Sequence, residues 1–239
     1  MVDNGFDGID LDWEFPTTTG HPEEQQKHTE MLRLLREKLD TLPDYHTLSV
    51  ARLDGGRTFR ITELDKSHIY LDYINVMTYD MTDFHFTSHH TAPYSSTKGG
   101  NYTARSVKNS IDIFKAKGIP PEKIIIGAAF YSKKWSGITG GENGLAAATE
   151  APVAYGPGIT ALEEEYINKN GFRRYWDETA CAPYLYNGDT FITYDDEESI
   201  KKKCELILEE NIGGIMVWDL GGDRKQTLLP LMRKWLGNR

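Results

Sequence analysis

The chain has 239 residues, 39% of them hydrophobic, and 27 Lys and Arg stand against 36 Asp and Glu for a formal net charge of −9. That is a globular composition with material for a real core. Its acidic balance excludes a nucleic-acid surface, which needs a basic stripe. No apolar run approaches the length of a membrane-spanning helix, and the first residues carry no signal-peptide pattern of positive charge followed by an apolar stretch. Two cysteines, Cys181 and Cys204, are too few for a disulfide framework and leave open one bridge or two buried thiols.

The first element is the stretch GFDGIDLDWEFP, Gly5 to Pro16. Ile9, Leu11 and Trp13 alternate with Asp10, Asp12 and Glu14, and in a strand successive side chains point to opposite faces. One face is therefore apolar and the other carries three carboxylates, with alternate residues about 6–7 Å apart along the strand. Like charges this close cannot all ionise freely, so at least one carboxyl is raised toward the range of a general acid. Pro16 stops the strand and leaves Glu14 at its C-terminal end, where catalytic groups sit in parallel α/β folds. From the residues alone, a solvated acidic strand and a Mg²⁺ or Ca²⁺ site remain as rival readings, since hard cations favour clustered oxygens.

A helix follows over HPEEQQKHTEMLRLLREKLDTL (21–42), with Met31, Leu34, Leu35, Leu39 and Leu42 at helical spacing. TLSVAR (47–52) predicts a short strand, ITELDKSHI (61–69) a helix, and YINVMTYDM (73–81) a buried strand ending in polar groups. YTARSVKNSIDIFKAKGI (102–119) predicts a helix closed by Gly118. KIIIGAAFY (123–131) is the near-continuous apolar run of a parallel strand. The β-α alternation implies parallel strands with right-handed crossovers. From about Trp135 to Asp196 the rhythm breaks into a Gly-rich and Tyr-rich stretch with short strand candidates such as PYLYNGDTFITYDD, which reads as an inserted α+β subdomain. Regular alternation returns with a helix at EESIKKKCELILEENI, a strand at GGIMVWDL (213–220) and a last helix at TLLPLMRKWL.

With this layout, FDGIDLDWE resembles the DxxDxDxE signature of family 18 glycoside hydrolases, the chitinase family, through Asp7, Asp10, Asp12 and Glu14. NVMTYDM resembles that family's sixth barrel strand, GIPPEKIIIGAAFYSKKW its seventh, and IGGIMVWDLGGD its eighth. RYWDETACAPYLYNGDTFITYDDEESI resembles the end of its inserted subdomain. The resemblance implies an α/β fold of (β/α)8 TIM-barrel type and retaining, substrate-assisted hydrolysis of β-1,4-linked N-acetylglucosamine polymers, with no metal at the acidic motif and no cofactor. It implies Glu14 as acid and base, Asp12 as the group that orients the N-acetyl nucleophile, and Asp10 as the carboxyl that shares a proton with Asp12. Tyr79 would hydrogen-bond the N-acetyl carbonyl, while Asp80, Met77, Trp218 and Tyr131 would bind the sugar. Asp7 would be structural, satisfying backbone near the turn, and Trp135 and Trp176 are either sugar platforms or packing.

Two departures accompany the resemblance. The family often shows Tyr-Gly-Arg-x-Trp after its seventh strand, where this chain has Tyr131-Ser132-Lys133-Lys134-Trp135, so a point charge replaces a forked guanidinium. The acidic motif also belongs to the family's fourth strand yet begins here at residue 7, so at about 30 residues per βα unit roughly 90–100 residues of strands one to three are missing. The expectation is a partial barrel of strands four to eight over 1–135 and 196–239, with the insertion over 136–195. Its open edges call for a homodimer or a partner fragment. Against hydrolysis stand a non-catalytic, lectin-like carbohydrate binder and an inactive truncated fragment. The resemblance further implies an exported or cell-surface protein.

Overall fold

The computed structural model describes residues 1–16, 23–98 and 105–237. After a single 3-10 turn, β1 (Gly8–Leu11) leads to α1 (Glu23–Leu39), β2 (Thr47–Leu53), two short helical segments α2 (Arg57–Ile61) and α3 (Leu64–Ser67), and β3 (Tyr73–Met77). Next come α4 (Val107–Ala116), β4 (Ile124–Ala129), β5 (Tyr131–Trp135) and β6 (Ala154–Gly158). A short α5 (Ile159–Ala161) runs into a π-helical turn at Leu162–Tyr166, followed by β7 (Arg173–Asp177), β8 (Ala182–Tyr186), β9 (Phe191–Thr193), α6 (Glu197–Glu210), β10 (Gly214–Trp218) and α7 (Leu229–Leu236). The helices expected over 21–42 and 102–119 include residues 21–22 and 102–104, which lie outside the described residues.

Two five-stranded sheets result. The first, β1-β2-β3-β4-β10, is parallel throughout, as the β-α alternation requires. The second, β6-β5-β9-β8-β7, is antiparallel. The run 123–131 does not form one strand. Its parallel part ends at Ala129, and after the buried Phe130 the chain crosses into the second sheet at Tyr131, ahead of the 136–195 segment. An apolar run reports burial and is blind to which sheet supplies the hydrogen bonds. Within PYLYNGDTFITYDD, β8 and β9 form a hairpin around Asn187–Gly188, where Asn187 Oδ1 accepts from Asp189 N and Thr190 N and Gly188 takes φ 97°.

Local chemistry sets the helix ends. Asp196 caps α6, its Oδ1 accepting from Glu198 N and Ser199 N at 3.0 and 3.2 Å, while Ser199 Oγ accepts from Asp196 N at 3.0 Å. Ser106 caps α4 by accepting from Asn109 N at 3.1 Å, and Gly118 after it takes φ 82°. The main core lies between the parallel sheet and its helices. Leu48, Val50, Ile74, Val76, Ile124 and Ile126 pack there on Leu32 of α1, Ile111 and Phe114 of α4, and Leu206 and Ile207 of α6. A second core joins Phe130, Leu185 and Ile192 to Cys204 of α6 and Met232 of α7. Both cysteines are free, Cys204 buried and Cys181 half-buried.

The loop after β3 is pinned to the second sheet by one carboxylate. Asp177, fully buried, accepts from His89 Nε2 at 3.2 Å, Ser96 Oγ at 2.6 Å, and Thr179 N and Oγ1 at 3.1 and 2.8 Å. Burial works to raise its pKa, but the donors from His89, Ser96 and Thr179 win and hold it below the usual carboxylate range. A carboxyl depressed in the folded state contributes stability that is present above its unfolded value, about pH 4, and is lost as pH falls toward the folded value. Urea midpoints are therefore expected to drop below about pH 4 in the parent chain. Asp177→Asn is expected to flatten that dependence and to cost about 1–3 kcal/mol at neutral pH. An equally steep acid limb in the variant would show that Asp177 is not the group responsible.

Candidate active site

The acidic strand is built as its alternation requires. Ile9 and Leu11 pack against the main core, and the carboxylates turn to the opposite, inner face of the sheet. There Asp10 Oδ1 accepts from Ser49 Oγ of β2 at 2.6 Å and from Asn75 Nδ2 of β3 at 3.0 Å, so three strands are joined by side chains in one inner layer. Asp12 and Glu14 lie just beyond the last paired residue, Leu11, at the C-terminal end of the sheet.

A cavity of about 280 Å³ opens at that end. Asp12, Glu14, Met77, Tyr79, Asp80, Tyr131 and Trp218 line it, drawn from the ends of β1, β3 and β10 and from the start of β5. Seven of the eight site residues expected from the sequence thus meet in one place, and Asp10 sits a layer beneath them. Burial and the charges of Asp12 and Asp80 raise the pKa of Glu14. Tyr79 is held above the ordinary phenol range by burial and by Asp12, Asp80, Glu14 and Asp10, and therefore presents an intact O–H. Its ring is seated over Gly127, where a Cβ would come within 2.7 Å of the ring.

Asp80 is the most heavily engaged group. It adopts φ 55°, a left-handed conformation that Asp tolerates better than most residues. Tyr131 Oη donates to its Oδ1 at 2.6 Å, Lys133 Nζ lies 3.0 Å from its Oδ2, and Tyr155 Oη donates to Oδ2 at 3.4 Å. Lys133 also rests over the Tyr155 ring at 3.4 Å from its centroid. Behind Asp80 is the fully buried His90, whose Nδ1 lies 3.5 Å from Asp80 N and 3.7 Å from Asp80 Oδ1. Burial alone would raise the Asp80 carboxyl, yet His90, Tyr131 and Lys133 together hold it well below the carboxylate range. In His90 burial dominates and lowers the imidazole pKa. The lysine at 133 thus anchors a carboxylate, a task for which a point charge suffices.

A second buried network fixes the platform beneath. Lys203 of α6, with no exposure, places Nζ 2.6 Å from Asp195 Oδ2 and donates to Thr91 Oγ1 at 2.6 Å and Gly127 O at 3.4 Å. Asp195 Oδ2 also accepts from Ala129 N at 3.1 Å, Thr91 Oγ1 donates to Thr78 O at 3.0 Å, and Thr78 Oγ1 accepts from Gly127 N at 2.8 Å. The ends of β3 and β4, which lead into Tyr79 and Asp80 and into Tyr131, are thereby tied to each other and to α6.

Several expected roles resolve differently. Trp135 is 2% exposed and packs on Phe191 in the core of the second sheet, so it is packing. Trp176 lies under the Arg174 guanidinium on β7 and does not line the cavity. Asp7 acts through its main chain, its carbonyl accepting from Thr47 N at 3.0 Å, with no side-chain hydrogen bond among the described residues. Sequence reasoning missed Leu53, Asp54, Arg105 and Tyr155 in the lining, and His90 behind it. Asp54 and Arg105 pair at 2.6 Å across 51 positions of chain; no local pattern signals such a contact. Among the described residues no cluster of three or more His, Cys, Asp or Glu is arranged to hold a metal ion, and no helix is long and apolar enough to cross a membrane.

Comparison with known proteins agrees with this geometry. The model of the Glycosyl hydrolases family 18 matches residues 1–223. Chitinase A1 of Niallia circulans is 35% identical over 93% of this chain and 36% of its own length, and chitotriosidase-1 of Mus musculus is 30% identical over 92% and 50%. The chain thus spans between about a third and a half of these curated relatives. Among solved structures, a family 18 N-acetylglucosaminidase from Paenibacillus barengoltzii superposes with a TM-score of 0.91 at 39% identity, covering 96% of this chain and 70% of that one. The chitinase ChiW of a Paenibacillus species superposes with a TM-score of 0.90 at 38% identity, covering 100% of this chain and 29% of that one. Sequence, fold and cavity converge on one assignment: the chain belongs to glycosyl hydrolase family 18, with an α/β fold of TIM-barrel type.

Proposed function

We propose that this chain hydrolyses β-1,4-linked N-acetylglucosamine polymers, chitin and chitooligosaccharides, with retention of configuration and with the substrate's own N-acetyl oxygen as nucleophile. The observation that carries this reading is a carboxyl with a raised pKa, Glu14, sharing one cavity with Asp12, Tyr79 and Asp80. Family 18 enzymes work without the second carboxylate nucleophile of other retaining glycosidases. Asp12 accepts the N-acetyl N–H and turns the carbonyl oxygen toward the anomeric carbon, and the Tyr79 hydroxyl donates to that oxygen. Glu14 protonates the leaving oxygen and then takes a proton from the incoming water. Asp10, held by Ser49 and Asn75, fixes the base of the carboxylate row. Asp80 offers an ionised acceptor to the sugar, Tyr131 holds Asp80, and Met77 and Trp218 supply apolar surface. The names of the similar proteins, chitinases and an N-acetylglucosaminidase, support this substrate class.

The five parallel strands are read here as strands four to eight of an eight-stranded barrel, over 1–135 and 196–239, with the α+β insertion over 136–195. In support, β1 and β10 each have a single neighbour in the sheet, and Trp218, at 55%, is the most exposed of the expected sugar-binding aromatics. A second copy or a partner segment would close the open side. The working site is extracellular, where such polymers occur. The same openness favours a second reading, in which the chain binds the glycan without turning it over.

Hydrolysis of a fluorogenic N,N′-diacetylchitobioside separates the two. Turnover is expected, with Glu14→Gln lowering kcat by at least about 10²-fold and the β-anomer appearing first by proton NMR. Binding without turnover selects the second reading, while an initial α product, or equal hydrolysis of a cellulose oligomer, overturns the mechanism. Because catalysis requires protonated Glu14 and its pKa is raised, the alkaline limb of kcat/KM is expected above the ordinary glutamate value of about 4.3. Asp80, held ionised, keeps up its push across that range. A limb at or below 4.3 would remove Glu14 as the acid. Chelator is expected to leave activity unchanged; loss with EDTA and rescue by a divalent ion would point instead to a metal held by the carboxylates.

A further inference from the structure

β2 alternates as a parallel strand must. Ser49 and Leu53 face inward, the first to Asp10 and the second to the cavity, while Leu48 and Val50 face outward into the core against Leu32 of α1. The next outward position is Arg52. It is 1% exposed, in the layer between sheet and helix where the pattern calls for another aliphatic residue. Its Nη1 donates to Ala51 O at 2.7 Å and its Nη2 to His28 Nε2 of α1, while its Nε has no partner among the described residues. His28 has no exposure and is driven down to about 3 by burial and then by Arg52, so it is a neutral acceptor and supplies no counter-charge. The Trp13 ring lies 6.0 Å from that of His28.

A guanidinium buried without an anion is costly unless compensating charge lies near. Among the described residues no carboxylate lies within ion-pair distance of Arg52, and none of residues 17–22 or 99–104 is acidic. We infer that Arg52 is the buried counter-charge of the carboxylate row: a positioning residue, braced by His28, that balances Asp12 and Asp10 from the opposite face of the sheet. Burial lowers Arg52 to about 10, which leaves it cationic at neutral pH, and the charges that oppose this lowering are those of Asp12 and then Asp10. The brace also holds Trp13, the residue between Asp12 and Glu14, from behind. This rests on the reading of Glu14 as the acid. A positive charge behind the strand offsets part of the push that Asp12 exerts on Glu14, and so moderates how far that carboxyl is raised. On the cavity side Glu14 faces Asp12, Asp54, Tyr79, Asp80, Arg105, Tyr131 and Tyr155, with Lys133 bound to Asp80. The variants below leave all of these in place.

The test is a carbon-13 carboxyl titration of Glu14 in the full chain, its signal identified by its loss in Glu14→Gln. In His28→Phe/Arg52→Met, which fills the layer with apolar volume, the Glu14 midpoint is expected to rise by roughly half a pH unit. The alkaline limb of kcat/KM should move with it. Arg52→Lys, which keeps the charge, is expected to restore both. An unmoved midpoint in a folded double variant overturns the proposal, as does an equal rise in Arg52→Lys. Should the double variant fail to fold by circular dichroism, Arg52→Gln reads the same shift. The NMR midpoint needs no substrate, so a chain without turnover would defeat the hydrolase reading while the titration still decides the role of Arg52.

Discussion

A parallel sheet gives each strand two faces and one register, and everything chemical in this molecule follows from that restriction. With Asp10 opposite Ser49 and Leu11 opposite Val50, the apolar residues of β1 enter the helix-covered core and its carboxylates enter the inner face. A slip of one residue would invert every side chain. It would bury Asp10, Asp12 and Glu14 beneath α1, where unpaired carboxylates are intolerable. The bonds from Ser49 and Asn75 to Asp10 make the register of three strands a matter of side chains as well as backbone.

Depth of burial then distributes the electrostatics. Lys203 and Asp195 form a fully buried ion pair whose remaining valences are met by Thr91, Ala129 and Ser199, so the cost of desolvation is offset by hydrogen bonds on nearly every side. Burial nonetheless depresses the Lys203 pKa, against the pull of Asp195. What the pair provides is position: it sits where β3 and β4 end, under the residues that face the cavity. Above it the exposed side of Asp80 is gripped by Tyr131 and Lys133, and its left-handed backbone is backed by His90. Rigid support beneath and a few convergent polar groups above are what a preorganised site requires.

Much of this was legible in the residues. Alternation in IDLDWE gave the two faces of β1, and the β-α rhythm gave a parallel sheet. Glu14, Asp12, Tyr79, Asp80, Met77, Trp218 and Tyr131 were all nameable before any coordinate, because each ends a strand or follows one closely in a recognisable motif. Trp135 could not be assigned that way. A tryptophan in an apolar strand reads identically as platform or packing, and only its contact with Phe191 decides.

By itself, then, the sequence determined the alternation of parallel strands with helices and the carboxylate row, since these depend on side-chain periods of two and of 3.6 that operate over a few residues. The tertiary structure alone decided which distant groups surround that row. Asp54 with Arg105, Tyr155 with Lys133, Asp195 with the loop at Thr91, and Arg52 with His28 meet across 22 to 104 positions of chain. Contacts of that range are fixed by how sheets and helices stack, and stacking leaves no periodic trace in the linear order of residues.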